Sequence, residues 1–180
     1  MKKKVWIFNH YATDTILDHG GRHYWFAKYL TRAGYDVRIF CASTVHDTDI
    51  NFDVGESGYC EKMVDGLKYT LIQTSNYVGN GKSRVKNMYQ FYRRIFRVVK
   101  NYEKPDVIFA SSVHPLTLLA GIKIAKKLGV KCICEVRDLW PESLVEYDII
   151  SRNHIVTKLM YRGERSLYKK AESLIFTMPG

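Results

Sequence analysis

Residues 5–8 (Val-Trp-Ile-Phe) form a short apolar run, and a polar stretch ending in Gly20-Gly21 follows it. The next segment keeps its apolar residues Tyr24, Ala27, Leu30 and Ala33 at helical spacing, and residues 36–42 are a second apolar run. Strand, glycine loop, helix and strand within the first 42 residues make a βαβ unit, whose crossover is right-handed. Runs that are apolar throughout, rather than alternating, belong in a parallel sheet covered by helices on both faces. Asp18 is the expected cap of the helix and Gly34 its left-handed terminator.

The alternation continues. Residues 43–66 read as a polar surface excursion with room for one short strand, and 67–73 as a third strand. Residues 76–83, with Gly79-Asn80-Gly81, form a flexible loop. The clearest helix covers 84–104, with Val85, Met88, Tyr89, Tyr92, Ile95, Phe96 and Val99 at steps of three and four and Pro105 as its stop. Strands follow at 106–110 and 130–136, separated by a helix over 116–128 that Gly129 closes. A short helix over 142–147 starts behind Pro141. Ser151 or Asn153 caps a longer one with Ile155, Val156, Leu159, Met160 and Leu167 on one side. A sixth strand covers 171–177, and Pro179-Gly180 stands at its carboxyl edge. The prediction is a doubly wound parallel sheet of strand order 3-2-1-4-5-6, with 1–180 forming one domain.

In such sheets ligands bind outside the carboxyl ends of the strands, at the switch point of strand order. The loops 9–21 and 111–115 then face one crevice, beside the turn Arg137-Asp138-Leu139-Trp140-Pro141-Glu142 that ends the fifth strand. Gly20-Gly21 lets backbone N–H groups approach a phosphate at a helix N-terminus, and it serves a plain flexible turn equally well. It fits neither the dinucleotide fingerprint nor a Walker loop, which speaks against an NAD enzyme and a P-loop NTPase. His114 can take a proton, orient a hydroxyl or bond a backbone carbonyl. Asp138 and Glu142 can hold a hydroxylated ligand, pair with Arg137 or cap the next helix.

Net charge is +10, which favours anionic partners such as nucleotide diphosphates or phospholipid headgroups. The basic helix 84–104 either packs on the sheet with its charges in water or touches an anionic membrane. No nucleic-acid-binding module is found, so nucleic acid is not an expected partner. Cys41, Cys60, Cys132 and Cys134 contain no CxxC pair, and no two histidines have metal-ligand spacing on a helix, so no metal site is expected. No segment has the length of a spanning helix or a signal-peptide core, and the expectation is a cytoplasmic protein with a peripheral membrane contact left open.

The exit through His10-Tyr11, Gly20-Gly21, the helix end Ala33-Gly34-Tyr35-Asp36-Val37, the stretch Ser111-Ser112-Val113-His114-Pro115 with Leu119-Ala120-Gly121, and above all residues 135–144 (Glu-Val-Arg-Asp-Leu-Trp-Pro-Glu-Ser-Leu) carry a resemblance over nearly the whole chain. They resemble the N-terminal domain of family-4 GT-B glycosyltransferases, in the subgroup that builds capsules, O-antigens and exopolysaccharides. The resemblance implies two Rossmann-like domains with the active site between them. It implies retaining transfer from a nucleotide sugar, with no metal or other cofactor required, to a saccharide acceptor that is often lipid-linked at the cytoplasmic membrane face.

It further implies that Gly20 and Gly21 approach the donor diphosphate. His114 and Asp138 would be the catalytic pair, Asp138 being the carboxylate nearest the reacting hydroxyl, while His10, Arg137 and Glu142 would line the acceptor side. The family's donor-binding carboxylate motif and basic residues are not found in residues 1–180. The expected partner is therefore the protein's own C-terminal donor-binding domain, and the fragment alone is expected to transfer little, since half of the charge-stabilising site is missing. A stand-alone α/β binding module, or one subunit of a split enzyme, is the alternative.

Overall fold

The computed structural model describes residues 2–79 and 81–177; Asn80 of the expected glycine loop and the terminal Pro179-Gly180 lie outside them. The strands, in chain order, are β1 (Lys4–Phe8), β2 (Asp36–Ala42), β3 (Tyr59–Val64), β4 (Leu67–Ile72), β5 (Val107–Ser112), β6 (Lys131–Val136) and β7 (Ser173–Phe176). The helices are α1 (Asp14–Asp18), α2 (Arg22–Arg32), α3 (Lys82–Val98), α4 (Pro115–Leu128), α5 (Glu142–Glu146) and α6 (Ile155–Lys170).

One sheet has the order β3-β4-β2-β1-β5-β6-β7. Its six parallel strands run in the predicted order, with β1 flanked by β2 and β5 at the switch point. The addition is β3, which pairs antiparallel with β4 inside the expected excursion. Asp65 and Gly66, both at positive φ (51° and 78°), make the two-residue turn between them, the conformation that hairpin twist favours.

Side chains alternate across the sheet and build a core on each face. Trp6, Phe8, Phe40, Ile108 and Cys134 meet α3, α4 and Leu167 of α6 on one side. Val5, Ile7, Ile39, Tyr69 and Leu71 meet α1 and α2 on the other. Gly121 sets how close α4 lies to the sheet: a Cβ there would stand 2.6 Å from Ala110 Cβ and 3.1 Å from Cys132 Sγ. Cys132 and Cys134 share a face, their sulfurs 3.8 Å apart and unbonded. Burial pushes the Cys41 thiol up to about 12, so it behaves as a packed apolar group.

Several local expectations change. The loop after β1 contains α1, and Asp18 is its last residue rather than the cap of α2; Gly21 occupies that cap position without a side-chain bond. Helix α3 buries Met88, Phe91, Ile95 and Val98, leaving Val85 and Tyr89 exposed. Neither Ser151 nor Asn153 caps α6; His154 does, with Nδ1 accepting from Val156 N–H at 3.2 Å. Ile155, Val156 and Leu159 of that helix are exposed, and Thr157 and Leu167 supply its buried contacts.

Candidate active site

Strands β1, β5 and β6 are neighbours and parallel, so the residues that follow them stand on one edge of the sheet. His10 leaves β1, and its ring is sandwiched between Tyr11 (4.5 Å, 14°) and Phe91 (4.8 Å, 4°). His114 leaves β5 and begins α4, with extended backbone at φ −151° and Pro115 after it. His10 Nδ1 and His114 Nε2 lie 2.6 Å apart, the rings nearly perpendicular at 88°.

Burial, and then the charge of its neighbour, holds His10 well below the usual imidazole range. Burial, followed by the Arg84 guanidinium, lowers His114 to about 3. Both rings are therefore neutral near pH 7, and one donates to the other. The outer nitrogens, His10 Nε2 and His114 Nδ1, have no hydrogen-bond partner among the described residues. Both residues are only 1% exposed, so a ligand reaches His114 only when a covering side chain moves. Tyr11 is such a cover, stacked on His10 and accepting from Arg84 Nε at 3.0 Å.

A second buried group lies one strand over. Glu135, the sole carboxylate of β6, has no exposed surface. Its Oε2 accepts from Ser111 Oγ at 2.6 Å and from His23 Nε2 at 3.0 Å, and its Oε1 from Arg22 Nε at 2.5 Å. Burial alone would raise this carboxyl, but the bonds from His23 and Ser111 and the nearby Arg22 overcome it and hold it at about 2. Asn9 Oδ1 accepts from Tyr11 N–H at 3.1 Å, which turns Asn9 Nδ2 towards His23 Nδ1 at 2.8 Å. His23 thus accepts on Nδ1 and donates from Nε2. The chain Asn9–His23–Glu135–Ser111 ties β1, α2, β6 and β5 together directly behind the glycine loop.

Gly21 stands at φ +85° at the start of α2, where a Cβ would come within 3.1 Å of Thr15 Cγ2. Gly20 has no such need, since its nearest contact would be an ordinary 3.5 Å. No acidic side chain occupies the first turn of α2, and the half-exposed Arg22 guanidinium is anchored there through one nitrogen to Glu135. The edge can therefore offer backbone N–H groups and a fixed cation to an anion.

Arg137 N–H donates to Ser112 Oγ at 3.4 Å, and Trp140 Nε1 donates to the Val113 carbonyl at 2.9 Å, so the loop after β6 is fastened to the loop after β5. Half-buried Asp138 sits in a narrow crevice with Ser112, Pro115, Trp140 and Glu164.

Residues 21–180 match the family described as glycosyl transferase 4-like domain. The chain belongs to that family. As a glycosyl transferase 4-like domain, it has the GT-B-type Rossmann-like sheet expected from its sequence. Sucrose-phosphate synthase from Thermosynechococcus elongatus shares the fold at a TM-score of 0.55 and 12% identity, over 98% of this chain and 77% of that one. The FeoB G-domain from Methanococcus jannaschii overlaps at a TM-score of only 0.29 and 15% identity, over 98% of this chain and 86% of that one, too little to bear on the fold. No curated protein matches the sequence.

Of the residues singled out in this glycosyl transferase 4-like domain, Gly21, His10, His114, Arg137 and Asp138 stand on one edge. The packing leaves His10 in contact with His114 rather than with solvent. Glu142 is occupied in joining α5 to α6, where it accepts from Arg152 and from the Tyr161 hydroxyl. Those two partners, Tyr161 first, lower its carboxyl. Glu135 and His23 are the additions. A lone carboxylate inside an apolar strand was the available signal, because a buried charge persists only when paired. Among the described residues no group of three or more His, Cys, Asp or Glu side chains could hold a metal ion, and no helix is long and apolar enough to cross a membrane.

Proposed function

We propose that this domain is the acceptor-side half of a retaining glycosyltransferase of cell-surface polysaccharide synthesis. It moves a sugar from a nucleotide-sugar donor to a lipid-linked saccharide on the cytoplasmic face of the membrane, without a metal. A second Rossmann-like domain supplies most of the donor site. The observation that supports the reading is that the loops carrying Gly21, His114 and Asp138 follow β1, β5 and β6, three adjacent parallel strands, and so share one carboxyl edge.

In the reaction the bond between the sugar's anomeric carbon and the donor phosphate breaks, and a bond to the acceptor hydroxyl forms on the same face. Charge develops on the departing diphosphate, where the α2 N-terminus and the Arg22 guanidinium stabilise it. Asp138, half-exposed at the rim, is the carboxylate nearest the reacting hydroxyl and receives its proton. His114 is a neutral imidazole on the same edge, able to exchange hydrogen-bond roles with His10. Arg137 flanks the acceptor.

The test is transfer of labelled sugar from a panel of nucleotide sugars to polyprenyl-linked saccharides by this domain joined to its donor-binding half. Label in the lipid fraction is the expected result. Tight nucleotide-sugar binding by this domain alone, with no transfer by the joined protein, would instead mark a binding module.

A further inference from the structure

A hydrogen bond between two neutral imidazoles has a direction. Either His10 Nδ1 donates to His114 Nε2 or the reverse, and the 2.6 Å contact alone fits both. What decides between them lies on the far side of His10, on helix α3. Phe91 of that helix stacks flat on the His10 ring. Asn87 stands one turn before Phe91 on the same face of the helix. Neither Asn87 nor Phe91 has any exposed surface.

The Asn87 amide is held in one orientation. Its Nδ2 donates to the Ser75 carbonyl at 2.7 Å and to Thr44 Oγ1 at 3.0 Å. A carbonyl only accepts, so it is the amide nitrogen that must face it. Ser75 is itself tied to α3, its N–H and its hydroxyl both donating to Gln90 Oε1, at 2.8 Å and 2.9 Å. Asn87 Oδ1 is left without a hydrogen-bond partner among the described residues, and so is His10 Nε2. Burial and then the charge of His114 hold His10 low, and Asn87 is the one neighbour whose side chain works the other way, favouring a proton on this ring.

The protons have two possible arrangements. With the His10 proton on Nε2, that N–H turns to Asn87 Oδ1, His10 Nδ1 is a bare acceptor, and His114 Nε2–H donates to it. With the His10 proton on Nδ1, His10 donates to His114, and a bare ring nitrogen is left beside a bare carbonyl oxygen. Two buried acceptors are then stranded together, whereas the first arrangement satisfies both. The first arrangement also fixes the far end of the chain of bonds, because His114 Nδ1 becomes a bare acceptor. That atom is unpartnered among the described residues, as is Thr117 Oγ1 in the first turn of the helix that His114 heads.

We infer that Asn87 is a positioning residue, which through His10 fixes His114 in the tautomer that carries its proton on Nε2 and presents an unprotonated Nδ1 to the substrate. This rests on the reading of His114 as a residue of the transferase edge, and it sharpens that reading. A bare Nδ1 accepts and cannot donate, so the group it takes is a substrate hydroxyl, while a phosphate or carbonyl oxygen is refused.

The test is nuclear magnetic resonance of the isotope-labelled chain at neutral pH, correlating each ring nitrogen with the carbon-bound ring protons, which separates protonated from bare nitrogens. His10→Gln and His114→Gln assign the two rings. Both should carry their proton on Nε2. The hydrogen bond that separates the two arrangements is worth about tenfold in population, so one set of resonances is expected for each ring. Asn87→Leu, which removes the acceptor at similar size, should move the nitrogens of both rings towards the average of the two tautomers, while those of His23, tied to Glu135, stay where they were. Asn87→Asp keeps an acceptor at Oδ1 and should keep the parent tautomers. Both variants lose the amide nitrogen that holds Ser75, so a residue that merely packs would disturb the rings equally in the two. In the domain joined to the donor-binding domain proposed for it, Asn87→Leu should transfer about tenfold more slowly and Asn87→Asp near the parent rate. The substrate whose KM rises in Asn87→Leu, donor or acceptor, is the one that supplies the hydroxyl.

A proton on Nδ1 of either ring in the parent would overturn the inference, as would parent-like tautomers or parent-like transfer in folded Asn87→Leu. Should that variant not fold, the parent spectra and Asn87→Asp decide. The spectra need no sugar, so a failed transfer assay on the parent leaves the tautomer assignment standing, and a proton on Nδ1 leaves the transferase reading standing.

Discussion

His10 Nδ1 and His114 Nε2 meet at 2.6 Å although 104 residues separate them in the chain. The contact joins the exit of the first strand to the exit of the fifth, the two sides of the switch point, and both rings are kept neutral by burial.

That pair makes folding sensitive to mild acid. An unfolded imidazole takes up its proton near pH 6.5, while His114 in the fold resists until about 3 and His10 is likewise lowered. The unfolded state therefore binds more protons below pH 6.5, and stability is full above that value and lost as pH falls through it. The expected slope is about 1.4 kcal/mol per pH unit for each histidine. Urea unfolding between pH 7 and pH 5 measures it, and the double variant H10Q/H114Q should flatten the dependence.

Glu135 adds a dependence of the same sign at lower pH. Its carboxyl, held at about 2 against an ordinary 4.5, stabilises the fold above pH 4.5 and ceases to as pH falls towards 2. Glu135→Ala strands His23, Ser111 and Arg22 around a site with no exposed surface, and a loss of about 3–5 kcal/mol is expected in urea. Hydrogen exchange should also speed up at the amide of Trp25, which closes the first turn of α2 on the Gly21 carbonyl, because the start of α2 loses its tie to β6.

Gly121→Ala places a methyl group against Ala110 and Cys132 at the spacing given above. Helix α4 must then lift from β5 and β6, at about 1–3 kcal/mol. Since His114 stands at the head of that helix, the His10 and His114 imidazole resonances should shift in the variant; unchanged resonances would mean that helix and histidine are not coupled.

Regular, deeply buried elements were legible in the sequence, because apolar runs and helical spacing report burial directly. Strand β3 was legible only as room for a short strand within 43–66, since a half-exposed edge strand such as 59–64 carries no apolar run; its one strong signal was the Asp65-Gly66 turn. The stripe of α3 was displaced because Val85 and Tyr89 repeat at helical steps beside the stripe that is buried, through Phe91. Sheet topology alone places the rim residues on one edge. Which of them touch depends on side-chain packing between segments a hundred residues apart, and so the closure of His10 on His114 and the tie through Glu135 between three strands and α2 could be seen only in three dimensions. The exposed apolar start of α6 shows the converse, an apolar helical pattern that does not enter this core.

The most direct measurement is the rate of sugar transfer by this domain joined to the donor-binding domain proposed for it, with Asp138 replaced by Asn. Asp138 is half-buried with no charge partner among the described residues, so the substitution should leave the urea midpoint where it was. Transfer should fall by about a hundredfold or more, the usual share of a positioned acid–base group. Turnover equal to that of the parent protein would contradict the placement of the reacting hydroxyl at this rim.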